Sequence, residues 1–428
     1  MSFMFLLCIA PLHGGFGLDG ADVFPEPGIL LAPTMPISGK IIKAEKQVGI
    51  KITKKKNEIQ TGVLIYSLSG DLLKRFPFRA ERVRILNSGN LLVLHGQKQK
   101  QLLTGNHLYD SERNLPKDYD HKILEYDWNG KVVWEFKSNY RLHHDAVRLS
   151  NGNTLVLGMI QVPDELKKKI KIPYVRKGRI LTDIVLEVNP QGKEVWKWAF
   201  YEHVDLNSCG AVMCDEVFHY LKSGNNEIFD WTHTNTVSEL PPNKWYKAGD
   251  KRFAPGNILI MVRNWSEALI IDKHTKKIVW RYHGKYKGGL MGGHDARMIP
   301  EGYPGAGNIL ILDNGYGVPA QRRGTRGFLD ASLRQGRSLV LEVNPVSKEV
   351  EWVYDPPERL FTPTRGAVQR LKNGNTLISE DARGRIIVVS PKKEIIYKLD
   401  GMIGVKYHSA RAMYYPVSFS SKIAALFR

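Results

Sequence analysis

"LVLEVNPVSKEVEWVY" (339–354) reads as a β-hairpin. Apolar residues alternate at Leu339, Leu341 and Val343, Asn344 and Pro345 break the run, and Val350, Trp352 and Tyr354 resume it. Alternation with a turn-forming interruption is the signature of two paired strands. The same phrase recurs as "LIYSLSGDLLKRF" (64–76), "ILEYDWNGKVVWEF" (123–136) and "VLEVNPQGKEVWKW" (185–198). It returns again as "ALIIDKHTKKIVWRY" (268–282) and "IIVVSPKKEIIYKL" (386–399).

Five of the hairpins follow a second phrase, a turn around Gly-Asn leading into an apolar strand: "LNSGNLLVL" (86–94), "LSNGNTLVL" (149–157), "APGNILIMV" (254–262), "GAGNILIL" (305–312) and "LKNGNTLIS" (371–379). Glycine supplies the positive φ of a tight turn. One more short strand precedes each, so every unit holds four strands. Such repetition predicts an all-β fold, a six-bladed β-propeller. Five complete units run from about residue 79 to 399. The sixth is split, with its inner strand in "HSARAMYYP" (408–416) and its outer hairpin at 64–76. Sharing one blade between the two ends closes the ring and removes two free sheet edges. The expected organisation is an N-terminal segment over 1–59, a propeller over 60–416 and a C-terminal tail over 417–428.

A chain of 428 residues, 43% hydrophobic and 10% aromatic, can bury a large core. Its 62 Lys and Arg against 43 Asp and Glu give a formal charge of +19, which favours anionic partners. The basic runs "KITKKKNE" (51–58) and "ELKKKIKIP" (165–173) read as exposed loops or edge strands, without the zinc ligands or aromatic-basic pattern of a nucleic-acid module. No nucleic-acid partner and no stable membrane span are expected. The apolar run Phe3–Ala10 is too short to span a bilayer and lacks a basic flank, so it reads as a truncated export signal or as nothing. Cys209 and Cys214 have the wrong spacing for a CxxC motif; they form either a small disulfide loop or two free thiols.

Aligning the inner strands on their Gly-Asn turns brings six positions into equivalence: Glu81, His144, His233, His294, Gly366 and His408. Four are histidines, though far apart in the chain, and in a propeller they converge at one mouth of the central channel. Three histidines are able to bind a metal. Thr234, Asn235, Arg263, Thr364 and Arg365 nearby instead favour a tetrahedral oxyanion, sulfate or phosphate, over a metal. Asp145 and Asp295 are expected to point away from the channel, towards backbone or towards Arg148 and Arg297. Trp231 and Trp265 either stack on an aromatic substrate or pack the blades. Gly292 and Gly293 either let substrate approach closely or simply form a loop.

The strings "HHDAVRLSNGNTL", "DWTHTNTVSEL", "RNWSEALIIDKHTKKIVWR", "GGHDARM" followed by "ILILDNG", and "LEVNPVSKEVEWVY" resemble the bacterial arylsulfate sulfotransferase family over roughly residues 60–416. The resemblance implies a periplasmic or secreted enzyme. It would move a sulfuryl group from a phenolic sulfate donor to a phenol acceptor in a ping-pong reaction through a sulfohistidine, with no cofactor and no nucleotide sulfate donor. His294 matches the family's nucleophile. His144, His233, Asn235 and Arg263 match residues that hold the sulfuryl oxygens and assist proton transfer. Thr364 matches a further contributor, with Arg365 in the place of a lysine. Some members carry a disulfide just before the nucleophile; Cys209 and Cys214 lie elsewhere, before His233, and that pairing does not carry over. A homodimer is compatible with this reading. Two other readings remain open: a non-catalytic propeller that binds an anionic partner, and a metal-dependent propeller hydrolase or lyase.

Overall fold

The computed structural model describes residues 20–36, 62–78, 80–95, 109–110, 115–116, 122–221, 228–315, 336–400, 407–409 and 411–427. Six antiparallel sheets of at least four strands each stand around one axis as a β-propeller. Blade 2 is Arg82–Ile85, Leu91–Leu94, Lys122–Tyr126 and Val132–Lys137. Blade 3 is Arg141–Arg148, Thr154–Gln161, Arg179–Val188 and Glu194–Ala199, with Ile228–Asp230 added in parallel beside its third strand. Blade 4 is Thr234–Glu239, Ile258–Val262, Glu267–Ile271 and Ile278–Tyr282. Blade 5 is Asp295–Met298, Ile309–Asp313, Leu339–Val343 and Val350–Tyr354, and blade 6 is Ala367–Arg370, Thr376–Glu380, Arg385–Val389 and Ile395–Leu399.

Blade 1 closes the ring. Met413–Pro416 and Tyr407–Ser409 pair with Gly28–Pro36, which pairs with Val63–Ser67, which pairs with Leu72–Phe76. The C-terminal strand thus meets the 64–76 hairpin through Gly28–Pro36, which the sequence places ahead of the propeller. "GILLAPTMP" has two prolines, no alternation and no flanking Gly-Asn turn, so it carries none of the repeat's marks. The run at 165–173 is partly helical, with Asp164–Lys167 and Pro173–Lys177 forming short helices between two strands of blade 3. The run at 51–58 and the apolar run Phe3–Ala10 lie outside the described residues.

The repeated phrases have a geometric cause. Each outer hairpin turns through one left-handed residue: Gly70, Gly130, Gly192, Lys276, Lys348 or Lys393. Beside each, the ladder slips by one residue, the bulge that follows a three-residue hairpin loop in blades 1, 2, 3 and 6 and a four-residue loop in blades 4 and 5. A recurring tryptophan ties blades 2, 3, 4 and 5 each to the next. Trp134, Trp196, Trp280 and Trp352 donate their indole N–H to the hairpin-turn carbonyls of Pro190, Lys273, Pro345 and Pro391, at 2.7, 2.9, 2.7 and 3.0 Å. Tyr397 does the same from blade 6 to Leu68 of blade 1, at 2.8 Å. Between blades the second and third strands bury nearly every side chain, as in Ile258, Leu259, Ile260, Met261 and Val262. Burying one such chain stabilises by about 1.5–3 kcal/mol, which is what holds the radial sheets together. Among the described residues no helix is long and apolar enough to cross a membrane.

Candidate active site

The histidines sit where inner strands break their ladders. His143, His144 and Asp145 together oppose the single residue Leu157, and Asn235 is an extra residue between Thr234 and Thr236. Bulges of this kind re-aim side chains. His144 and His233 both adopt left-handed backbone, with φ of 60° and 52°. Arg365 and Arg411 share that conformation, at 63° and 52°. The backbone therefore marks Arg365 and Arg411, rather than Gly366 and His408, as the counterparts of His144 and His233. Spacing from the turn misses this because the strand breaks add residues unevenly. His408 lies on a strand whose backbone pairs Met35. A Cβ on Gly366 would lie 2.4 Å from Leu312 Cδ2, so close packing of blades 5 and 6 explains the glycine.

The rings of His144 and His233 lie 4.8 Å apart, edge to face, and each side chain is about one-fifth exposed, at 22% and 21%. His294 is buried, at 3%. Arg411 joins the group from below. Its guanidinium donates to the His144 carbonyl and the Asn235 carbonyl, both at 3.0 Å. Asn235 in turn donates its amide to the Gly293 carbonyl at 2.8 Å, next to His294. A Cβ on Gly293 would meet Met261 Sδ at 2.9 Å and the Leu312 carbonyl oxygen at 3.3 Å, so the glycine sits tightly against the neighbouring strands.

Each histidine has a partner that sets its proton. Asn314 donates its amide N–H groups to the carbonyls of Thr362 and of Arg365, the latter at 2.9 Å. Its Oδ1 is thereby left as an acceptor, 2.7 Å from His294 Nδ1. The carbonyl of Gly292, at 3.1 Å from the same nitrogen, is also an acceptor. His294 Nδ1 must then carry the hydrogen, and in the neutral ring Nε2 holds the lone pair. Burial, followed by the nearby Arg263 and Arg411 charges, holds the His294 pKa well below 6.5. His233 Nδ1 hydrogen-bonds to Asp230 Oδ2. Burial pushes the Asp230 carboxyl up, but the His233 ring and its hydrogen bond leave it below the ordinary value. His144 Nδ1 lies 2.6 Å from His143 Nδ1, whose Nε2 is 2.9 Å from Asp183 Oδ1. Burial and then the neighbouring imidazoles hold His144 well below 6.5, while Glu81 accepts its backbone N–H at 3.0 Å.

Arg263 is 3% exposed and bonds Asn264 Oδ1 at 2.8 Å; among the described residues no carboxylate pairs with it. Thr234 Oγ1, Asn235 Oδ1 and Thr364 Oγ1 are buried without hydrogen-bond partners. Arg263, whose charge acts on His294, and the Asn235 amide, which reaches the Gly293 carbonyl beside it, thus bring a cation and a neutral donor to a neutral imidazole, a setting for an oxyanion. Among the described residues no group of His, Cys, Asp or Glu is arranged to hold a metal ion.

Several expectations change. Trp231 and Trp265 are completely buried and donate to Ser208 and Trp231 carbonyls at 3.0 Å each, so they pack the blades and do not face the mouth. Asp295 pairs Arg297 at 3.0 Å as expected, but neither aspartate points away from the channel: both lie among the arginines of the inner strands, where Asp145 pairs Arg84 and Arg82 of blade 2, while Arg148 pairs Glu125. Both aspartates also accept a backbone N–H of the next blade, at Val237 and Val368. Cys209 and Cys214 form a disulfide. Asn314, Asp230, Asp183, His143 and Arg411 escape the sequence reading. Asn314 is signalled only by the "LDNG" string after the blade 5 strand, and "HHD" and "DWTH" hold the other clues.

The sequence model of Arylsulfotransferase (ASST) matches residues 135–400, more than half of the chain. The chain belongs to the arylsulfotransferase family. Sulfuryl transfer is the chemistry of that family, and small-molecule substrates fit it. No curated protein matches the chain. Among solved structures, a protein of unknown function from Bacteroides caccae is 12% identical, with a TM-score of 0.46, covering 91% of this chain and 98% of its own. A catalytically inactive virginiamycin B lyase from Staphylococcus aureus with quinupristin is 9% identical, with a TM-score of 0.36, covering 78% and 83%. The Cps50 (Swd1) β-propeller domain from Myceliophteria thermophila is 10% identical, with a TM-score of 0.39, covering 88% and 90%.

Proposed function

We propose that this protein transfers a sulfuryl group from an aryl sulfate to a phenol by a ping-pong reaction through sulfohistidine at His294 Nε2. The observation that carries the reading is the Asn314–His294 hydrogen bond, which fixes the lone pair on Nε2 of a buried neutral ring. In the first half-reaction Nε2 attacks sulfur, the S–N bond forms and the sulfur–aryl oxygen bond breaks. The departing phenolate takes a proton from His233, whose cationic form Asp230 stabilises. In the second half-reaction the acceptor phenol returns a proton to His233 as its oxygen attacks sulfur, and the S–N bond breaks.

Arg263, Asn235, Thr234 and Thr364 are placed in the role of holding the three sulfuryl oxygens as charge builds on them; one such donor is worth about 3 kcal/mol. Arg365 keeps the supporting role that the resemblance implies, while Arg411 takes the ring position that spacing gave to His408. His144, neutral and beside His233, completes the polar wall. The Cys209–Cys214 disulfide supports placing the protein in an oxidising compartment, periplasmic or extracellular.

Steady-state kinetics with a chromogenic aryl sulfate and varied phenol test this reading. Parallel double-reciprocal lines and a burst of released phenol are expected. Intersecting lines with no burst would favour direct transfer between bound substrates.

A further inference from the structure

Below the histidines, four arginines crowd the inner strands. Arg82 and Arg84 come from blade 2, Arg297 from blade 5 on the opposite side of the axis, and Arg411 from blade 1. Two carboxylates lie among them. Asp145 is saturated: it accepts from Arg84 Nη2 at 2.8 and 3.0 Å and from the Ala146 and Val237 N–H groups, and it touches Arg82 Nε at 3.1 Å. Asp295 accepts from Arg297 Nε and the Val368 N–H. Two further carboxylates are committed elsewhere. Asp381 accepts from the Gly366 and Arg411 N–H groups and from Ser379, and Glu81 from the His144 N–H.

Donors are left over. Arg82 is 1% exposed, and none of its guanidinium nitrogens makes a hydrogen bond. Arg297 Nη2 is likewise buried without a partner. A buried guanidinium N–H without an acceptor loses its hydration with nothing in return, and like charges across one channel add repulsion. Arg82 and Arg84 share Asp145, and Arg297 has Asp295, so two paired carboxylates face four guanidiniums; water would satisfy the donors but leave that excess of charge. An anion satisfies both.

We infer that the central channel holds a small monovalent anion of chloride size between Arg82 and Arg297, beneath the histidine cluster and separate from it. Burial lowers the Arg82 pKa to about 10 against the pull of Asp145, and the Arg297 and Arg411 charges add to the fall. The ion would pin blade 2 to blade 5 across the axis. This site does not depend on the reaction proposed above.

Crystals grown in bromide, measured at the bromine absorption edge, provide the direct test. An anomalous peak between Arg82 and Arg297 is expected, and it should persist in His294→Ala, where an ion at the histidine mouth would be weakened. In solution the thermal midpoint should rise with chloride relative to gluconate at equal ionic strength. That rise should vanish in Arg82→Gln, or in Arg297→Gln if the first variant does not fold. Bromide found only beside His294 and Arg263, or equal midpoints in the two salts, would overturn the inference.

Discussion

Asn314 Oδ1 lies 2.7 Å from His294 Nδ1, and both Asn314 amide hydrogens are spent on the carbonyls of Thr362 and Arg365. A side chain of blade 5, anchored to the loop before blade 6, thus fixes which nitrogen of His294 is free. Asn314→Leu removes the shorter of the two acceptors and leaves only the Gly292 carbonyl, at 3.1 Å, to hold the hydrogen on Nδ1, so the lone pair is fixed less firmly on Nε2. A fall in kcat of about 10²–10⁴-fold, the range for a misplaced proton-transfer group, is expected with little change in KM. Asn314→Asp keeps the acceptor but adds a negative charge, which favours the cationic ring. Its acid limb in kcat/KM should move to higher pH than that of the natural protein, as a pH–rate profile would show.

Arg263→Lys replaces a planar fork by a point charge at a buried position with no carboxylate partner among the described residues. If the guanidinium grips oxygens that gain charge in the transition state, the loss falls on kcat and amounts to about 3 kcal/mol, roughly 10²-fold. Steady-state kinetics with one aryl sulfate separate kcat from KM. A change in KM alone would assign Arg263 to ground-state binding.

The buried histidines set a pH window. Folded His294 and His144 have pKa values well below 6.5, so the folded protein binds fewer protons than the unfolded chain as pH falls below 6.5. Their contribution to stability is complete above 6.5 and is lost between 6.5 and the lowered folded values. Chemical denaturation at stepwise lower pH should show stability falling through that window. The His294→Gln and His144→Gln variants should show a shallower fall.

Closure by both chain ends makes the last strand structural. Removing residues 405–428 deletes Met413–Pro416 and exposes the Gly28–Pro36 edge and the faces of blades 1 and 6. It also removes Arg411, which bonds to backbone of blades 3 and 4. The truncated chain should lose the cooperative thermal transition seen by circular dichroism. An unchanged midpoint would mean the ring holds without the closing strand.

Much of the fold is legible because each blade repeats the same local physics. The Gly-Asn turns, the left-handed residue after each outer hairpin and the tryptophan that reaches the next blade all recur at fixed offsets. Gly28–Pro36 is not legible, because it joins blade 1 without its own turn and its inner neighbour lies at the other end of the chain. Within the site, His144, His233 and His294 stand out because they recur at equivalent positions. Asn314 and Asp230 do not recur, and their roles depend on hydrogen bonds that spacing cannot show. Arg411 is hidden by the broken strand Tyr407–Ser409 and Met413–Pro416, which shifts the register of the ring position by three residues from His408.

The most direct measurement is rapid quench of the enzyme with an aryl sulfate and no acceptor, followed by peptide mass mapping at mildly basic pH. One sulfuryl group on the peptide containing His294 is expected, appearing together with one equivalent of released phenol and disappearing when phenol acceptor is added. A label on His144 or His233 instead, or an unlabelled enzyme that still turns over after His294→Ala, would contradict the assignment of His294 as the nucleophile.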